Sequence, residues 1–314
     1  MKWFCACLLA ISPLLWNCGR DAEIPVVDFA RTISVEGSSQ KSTEELPALR
    51  VAVGAMISPK ETFVHYRALL TYVGKKTGRA PEFIQRKTYG EINELVGRGL
   101  IDIAFICTGP YATGAKKHGF EPIAVPLTGG RHFYQSYLIV KAEAFNSLAD
   151  LEGRTFAFTD PESNTGRLVP TFWLRRMGQS PESYFGKIIY TYSHDNSILA
   201  VSRGLVDGAA VDSLIWEYYE STNPALTASA RVVKRSEPYP IPPIVASRYF
   251  PEHEREQVGL ALFNMHHDPE GRQILVGLKI DRFIPPPREW FEKLERVEEM
   301  LAFSQGKVYG HEKP

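Results

Sequence analysis

From Leu49 onward, short apolar runs rich in β-branched residues alternate with stretches whose apolar residues recur at helical spacing. That alternation restricts the chain to layered α/β architectures. Leu49-Arg50-Val51-Ala52-Val53 opens the pattern, a Gly-Ala-Met-Ile-Ser-Pro turn follows, and a helix then carries Phe63, Tyr66, Leu69, Leu70 and Val73 until Thr77-Gly78 stops it. Strands are expected at 82–85, 101–107 and 122–126, with helices at 91–96 and 111–118 between them. After the run 135–141 the same order resumes, with strands at 155–159, 187–192, 208–211 and 231–234 and helices at 165–177, 196–203 and 214–219. Ile101-Asp102-Ile103-Ala104-Phe105-Ile106 is nearly continuous in apolar residues, as suits a strand covered on both faces. Pro240-Ile241-Pro242-Pro243-Ile244-Val245 reads as a return to the first unit, followed by helices at 252–266 and 270–276 and an outer amphipathic helix at 287–301. The expectation is a two-lobe α/β fold with two mixed or parallel sheets and helices on both faces. Lobe 1 takes 48–135 and 246–314, lobe 2 takes 136–245, and crossovers near 130–140 and 240–248 form a hinge over a cleft. There is no internal sequence repeat.

The first 47 residues follow different rules. Lys2 precedes an apolar run from 3 to 16, which is too short for a membrane span and reads as the core of a secretory signal. Leu15-Trp16-Asn17-Cys18-Gly19 resembles a lipobox, in which Cys18 becomes the first mature residue and carries lipid. Leu15 and Cys18 fit that pattern, whereas Trp16 and Asn17 replace the usual small residues; an ordinary signal cut elsewhere is the alternative. Residues 1–18 are thus expected to be a signal peptide and 19–47, polar and without period, a flexible tether. Of the four cysteines, Cys5 and Cys7 leave with the signal and Cys18 is acylated, so Cys107 alone enters the fold and no internal disulfide can form. The 36 basic and 36 acidic side chains cancel, which argues against nucleic acid or an anionic membrane surface as partner. A lipid anchor is the membrane contact expected.

The chemistry concentrates in Thr155-Phe156-Ala157-Phe158-Thr159-Asp160-Pro161-Glu162-Ser163-Asn164-Thr165-Gly166-Arg167-Leu168-Val169-Pro170. A strand runs into an Asp-Pro turn and then into small polar residues that open a helix. Helix N-termini present unpaired N–H groups and partial positive charge. Ser163, Asn164 and Thr165 add donors, and Gly166 allows close approach, so the segment can hold an oxyanion without a basic side chain. Plain N-capping by Ser163 explains the same residues without a ligand.

Together with Ser136-Tyr137-Leu138-Ile139-Val140, Ser193-His194-Asp195-Asn196, Leu199-Ala200-Val201, Val206-Asp207-Gly208-Ala209-Ala210-Val211 and Pro240-Ile241-Pro242-Pro243, this segment resembles the phosphonate-binding (PhnD-like) family of ABC-importer receptors. The resemblance covers about 49–284. It implies the type II periplasmic-binding-protein fold and an anion on Ser163, Asn164, Thr165 and Gly166, helped by His194 and Asp195. Ser163-Asn164-Thr165 stands where relatives often carry Ser-Thr-Ser. With the leader and the lipobox-like Cys18, the expectation is a periplasmic, lipid-anchored monomer without cofactor or catalysis that, as the resemblance implies, captures phosphate, phosphite or a phosphonate for an ABC permease. The alternative within the same fold is an oxyanion or arsenite receptor that signals to a histidine kinase.

Other candidates carry paired readings. Asp195 either accepts a proton-bearing ligand group or caps the helix after it, and Asp212, at a strand end, has the same two readings. Tyr111, Tyr134 and Tyr137 line the cleft or fill the core. Ser58, in the first turn, is placed to donate to the anion. Cys107 is either a buried small apolar residue or a soft ligand. His118 and His266-His267-Asp268 lack ligand spacing, so no metal is expected.

Expressed in a bacterium with its own leader, the wild type should fractionate with membranes and incorporate palmitate. The Cys18→Ser variant should do neither, and equal labelling of both would exclude the anchor.

Overall fold

A computed structural model describes residues 47–304 apart from 55 and 57; the signal segment, Cys18 and the tether up to residue 46 lie outside the described residues. β1 (Leu49–Val53) leads to α1 (Pro59–Thr77), β2 (Pro81–Ile84), α2 (Tyr89–Gly97), β3 (Ile103–Phe105), α3 (Thr108–His118) and β4 (Glu121–Leu127). β5 (Phe133–Tyr134) and β6 (Ser136–Lys141) carry the chain into a second layer system. There β7 (Thr155–Phe158), a turn of π-helix (Asn164–Leu168), α4 (Val169–Arg176), α5 (Pro181–Tyr184) and β8 (Lys187–Tyr190) follow. Next come α6 (His194–Ser202), β9 (Gly208–Asp212), α7 (Ser213–Thr222), α8 (Pro224–Thr227) and β10 (Ala230–Arg235). β11 (Tyr239–Pro240) and β12 (Ile244–Ala246) return, and α9 (Glu252–Phe263), α10 (Pro269–Leu278), β13 (Arg282–Ile284) and α11 (Arg288–Ser304) complete the described chain.

The strands form a six-stranded sheet in the order β13-β4-β12-β3-β1-β2 and a five-stranded sheet in the order β10-β6-β9-β7-β8. β5 and β11 pair with each other where the chain crosses between them, Tyr239 opposite Tyr134. β1 is parallel to β2 and β3, and β7 is parallel to β8 and β9. The remaining pairings are antiparallel. The alternation of strand and helix suggests mostly parallel sheets, and the difference has a topological cause. β6 and β12 enter their sheets by crossing from the other lobe, so they run against the strands built by local βα units.

Both faces of the first sheet are covered. Val51, Val53 and Ile103 pack with Leu69 of α1 and Leu262 of α9, whereas Ala52 and Ala104 pack with Ile92 and Val96 of α2 and with α11. The parallel strands end at a common edge of each sheet, and their C-terminal turns therefore meet in the cleft. Residues 54–58 follow β1, Cys107 follows β3, Thr159 follows β7 and Asp212 closes β9.

α11 is not the outer helix that its charged pattern suggests. Trp290, Val297 and Met300 are buried, and the Trp290 indole N–H donates to the Ile241 carbonyl at 2.9 Å. Its ring meets Tyr111 edge-on, with centroids 5.2 Å apart. The helix touches α3 in lobe 1, β11 at the crossover and α4 in lobe 2. Its charged residues form only the outward stripe.

Trp290→Ala should lower the unfolding free energy by about 3–5 kcal/mol, the range for truncating a buried aromatic. Urea titration measures this, and a loss below about 1 kcal/mol would contradict the buried placement.

Candidate functional site

The strand-end turns of the two lobes are joined by direct hydrogen bonds. The His194 N–H donates to the Met56 carbonyl at 2.9 Å, and the Ser58 N–H donates to Asp195 Oδ1 at 2.8 Å. On the neighbouring edge the Tyr89 N–H donates to Asp160 Oδ2 at 3.1 Å. Gly109 allows the contact, because a Cβ there would lie 2.4 Å from the Glu162 carbonyl oxygen and 2.9 Å from the Asn164 nitrogen.

Inside this junction five polar atoms are buried without a hydrogen-bond partner among the described residues: Tyr89 Oη, Asn164 Oδ1, Thr165 Oγ1, Ser193 Oγ and His194 Nε2. Buried polar groups are nearly always paired, and an unpaired one costs about 1–3 kcal/mol. Neighbouring contacts bring their residues close. Thr159 Oγ1 lies 3.1 Å from His194 Nδ1, the Thr159 N–H donates to the Gly166 carbonyl at 3.2 Å, and Tyr89 packs on Gly54 beside Met56.

The sequence produces these orientations locally. Ser163 Oγ accepts the Gly166 N–H at 3.0 Å, and the Leu168 N–H reaches back five residues to the Ser163 carbonyl at 2.9 Å. The wide turn leaves the Asn164 and Thr165 side chains unspent, and inserted π turns often mark functional positions. Ser193 is the N-cap of α6, yet its hydroxyl makes no capping bond. The Asn164 amide nitrogen donates to Tyr134 Oη at 3.2 Å. Turned over, the amide accepts from that phenol and presents its NH₂ instead.

His194 is fully buried, and its protonation follows from one contact. The Asp212 N–H, which can only donate, lies 3.1 Å from Nδ1. The proton of the neutral ring therefore sits on Nε2, which faces the site as a donor. Burial lowers the His194 pKa to about 3, so the ring stays neutral at physiological pH. Asp212 caps α7, its Oδ1 accepting the Leu214 N–H at 2.8 Å. Burial raises its carboxyl to about 7, opposed by the backbone bonds at the helix start. Asp212 adds to the upward shift that burial gives Tyr89, Tyr134 and Cys107.

The sequence-derived candidates divide accordingly. Asn164, Thr165, His194 and Asp212 come together. Ser163 is spent on its helix cap. Gly166 is required by packing rather than by ligand approach, since a Cβ would sit 2.3 Å from Thr159 Oγ1. Asp195 neither faces the cluster nor caps α6; it clasps Ser58, whose contribution is its backbone N–H. Cys107 is fully buried, its sulfur 3.6 Å from Tyr134 Oη, and burial pushes its thiol up, so it packs behind the site as a protonated group. Tyr111 lies in the core against Trp290. Tyr137 donates from its hydroxyl to Glu217 Oε1 at 2.6 Å on the side of β6 that faces the lobe 2 core. Tyr89 and Thr159 were not anticipated. The apolar spacing suggests a helix start at Glu91, whereas Thr88 caps α2 with Glu91 as its reciprocal partner and so puts Tyr89 in the first turn, at the cleft. The Thr-x-x-Glu box was the available signal.

The two sheets, the antiparallel return strands and the double crossover make this a type II periplasmic-binding-protein fold. A binding-protein component of an ABC phosphonate transporter from Pseudomonas aeruginosa superposes with a TM-score of 0.76 at 21% identity, over 83% of this chain and 87% of that one. PhnD1 from Prochlorococcus marinus, solved with methylphosphonate, gives 0.73 at 19% identity over 83% of this chain and 99% of that one. Residues 51–291 match the model of the family described as ABC transporter, phosphonate, periplasmic substrate-binding protein, and the chain belongs to that family. The phosphate-import protein PhnD of Mycolicibacterium smegmatis is 32% identical over 164 residues, 48% of this chain and 50% of the relative. A probable phosphite-binding PhnD1 of Prochlorococcus marinus is 27% identical over 106 residues, 32% of this chain and 36% of the relative. The match thus spans half the length of the first curated relative and about a third of the second.

The two buried titrating groups act with opposite sign. Between pH 6.5 and 3 the unfolded chain protonates His194 while the folded chain does not, so stability is lost as pH falls. Between about 4 and 7 the folded chain keeps the Asp212 proton that the unfolded chain releases, so stability is lost as pH rises. His194→Gln should therefore flatten the acid loss by up to about 1.4 kcal/mol per pH unit, and Asp212→Asn should steepen it. Denaturant titrations at pH 7, 5.5 and 4 test both, and unchanged slopes would show that neither group is shifted.

Proposed function

We propose that this chain captures a small phosphorus oxyanion (phosphate, phosphite or a phosphonate) in the periplasm, anchored through Cys18, and passes it as a monomer to an ABC permease. The observation that carries the reading is the cluster of unpartnered buried polar atoms at Tyr89, Asn164, Thr165, Ser193 and His194. Four hydroxyl or ring N–H donors, with an amide beside them, suit the oxygens of a tetrahedral anion. Among the described residues no lysine or arginine shares the cluster, so there the anion's charge is met by dipoles, hydrogen bonds and protons.

Asp212 supplies the proton logic. With a carboxyl that titrates near 7, it donates to a bare phosphoryl oxygen when protonated and accepts from a P–OH group when ionised. Ligand and carboxyl together hold one proton, which a phosphorus oxyacid provides near neutrality. A carboxyl that has lost its proton repels a fully ionised anion such as sulfate.

The same groups favour capture over catalysis. His194 has its one free lone pair on Nδ1, already facing the Asp212 N–H, so it is unavailable as a general base. The Cys107 thiol is pushed up by burial rather than activated. The clasp of Met56 and Ser58 on the start of α6 gives the lobes a closed arrangement around the donors.

Calorimetry with phosphate, phosphite and methylphosphonate should show binding to at least one of them. Thr165→Ala and Ser193→Ala should each weaken it about tenfold to a hundredfold, the worth of a hydrogen bond to a charged group. Ser163→Ala should instead cost about 1 kcal/mol of stability as a lost cap. Unaltered affinity in both Thr165→Ala and Ser193→Ala would place the anion elsewhere.

A further inference from the structure

Asp212 borders a second space. Along the cleft beyond it lies a groove of about 270 Å³ whose walls are apolar. Lobe 1 contributes Tyr66 and Phe105, α7 contributes Leu214 and Ile215, and the returning crossover contributes Ile241 and Pro242. The walls are ordered by packing: the Tyr66 and Phe105 rings meet edge-on at 5.3 Å, and Ile241 is held by the Trp290 indole. Glu217 and Lys279 also line it, Glu217 engaged by the Tyr137 hydroxyl and Lys279 exposed.

Two residues make the groove continuous with the donor cluster. Asp212 lines it while its backbone N–H lies 3.1 Å from His194 Nδ1, and Met56 lines it while its carbonyl holds the His194 N–H. A tetrahedral anion seated among the donors would direct a fourth substituent past Asp212 into apolar surroundings. Phosphate and phosphite have nothing to place there, and a methyl group would leave most of the volume unfilled. A cavity of about 150 Å³ suffices for benzene in another protein, so this groove has room for a larger hydrocarbon group.

We propose that the groove is the subsite for an apolar substituent, and that the ligand is an organophosphonate bearing an alkyl or aryl group of about four to six carbons. This rests on the reading of the anion site given above and adds its substrate class. Ile215 and Phe105, from opposite lobes, would set chain length, and closure would bury the tail between them.

Calorimetry on the full mature chain with phosphate, methylphosphonate, ethylphosphonate, butylphosphonate and phenylphosphonate tests it. Each buried methylene should tighten binding about fourfold, so butylphosphonate should exceed methylphosphonate by up to about sixtyfold. In Ile215→Trp, which fills the groove, the butyl-to-methyl ratio should fall to about one or below. Methylphosphonate or phosphate binding as tightly as butylphosphonate to the wild type would overturn the tail subsite and leave the anion site standing. An Ile215→Trp protein that keeps the full butyl gain would also overturn it. Absence of binding by every compound would overturn the anion site, and the tail subsite with it.

Discussion

The hydrogen bond from the Asp212 N–H to His194 Nδ1 joins the end of β9 to the first residue of α6, and much of the cleft depends on it. It fixes which nitrogen of the ring carries the proton. It leaves that proton on Nε2, buried and without a partner among the described residues. The His194 backbone N–H meanwhile reaches the Met56 carbonyl in the other lobe, so one residue sets both the polarity of the site and the approach of its two walls. A charged imidazolium in the same place would lack the solvation that it needs, and burial excludes it. The groups left unpaired here are oriented neutral dipoles, which can be left so at moderate cost. A buried unpaired lysine or arginine would cost far more.

That economy explains what was and was not legible in the sequence. The helix starts at Asn164 and His194 and the strand end at Asp212 were readable as positions, because small polar residues follow the C-terminal ends of strands there, where an α/β sheet opens its cleft. Their neighbours were ambiguous for a physical reason. Ser163, Gly166 and Asp195 have the composition of ligand residues, but a helix cap, a close packing contact and an interlobe clasp need the same composition. Only the direction of each side chain decides, and direction is set by which turn of the helix is α and which is π. Tyr111 and Tyr137 went to the core by the same uncertainty.

The fold itself was legible in outline because apolar periodicity separates strands from helices. It does not encode strand direction. The antiparallel insertions of β6 and β12 arise from the double crossover, a long-range feature that local pattern does not carry. α11 was misjudged for the opposite reason. Its charges dominate its composition, while the stripe formed by Trp290, Leu294, Val297 and Met300 is narrow and complete.

The placement of α11 also ranks the contacts that domain motion must break. At its start, Trp290 is sealed against Tyr111 and Ile241. At its end, Phe303 is 43% exposed and meets lobe 2 through the Phe172 ring and the Arg175 guanidinium. Water can replace the second set with little loss and the first only with the cost of a cavity. The two ends of α11 are thus held unequally, its start sealed in the core beside the crossover and its last turn resting lightly on lobe 2.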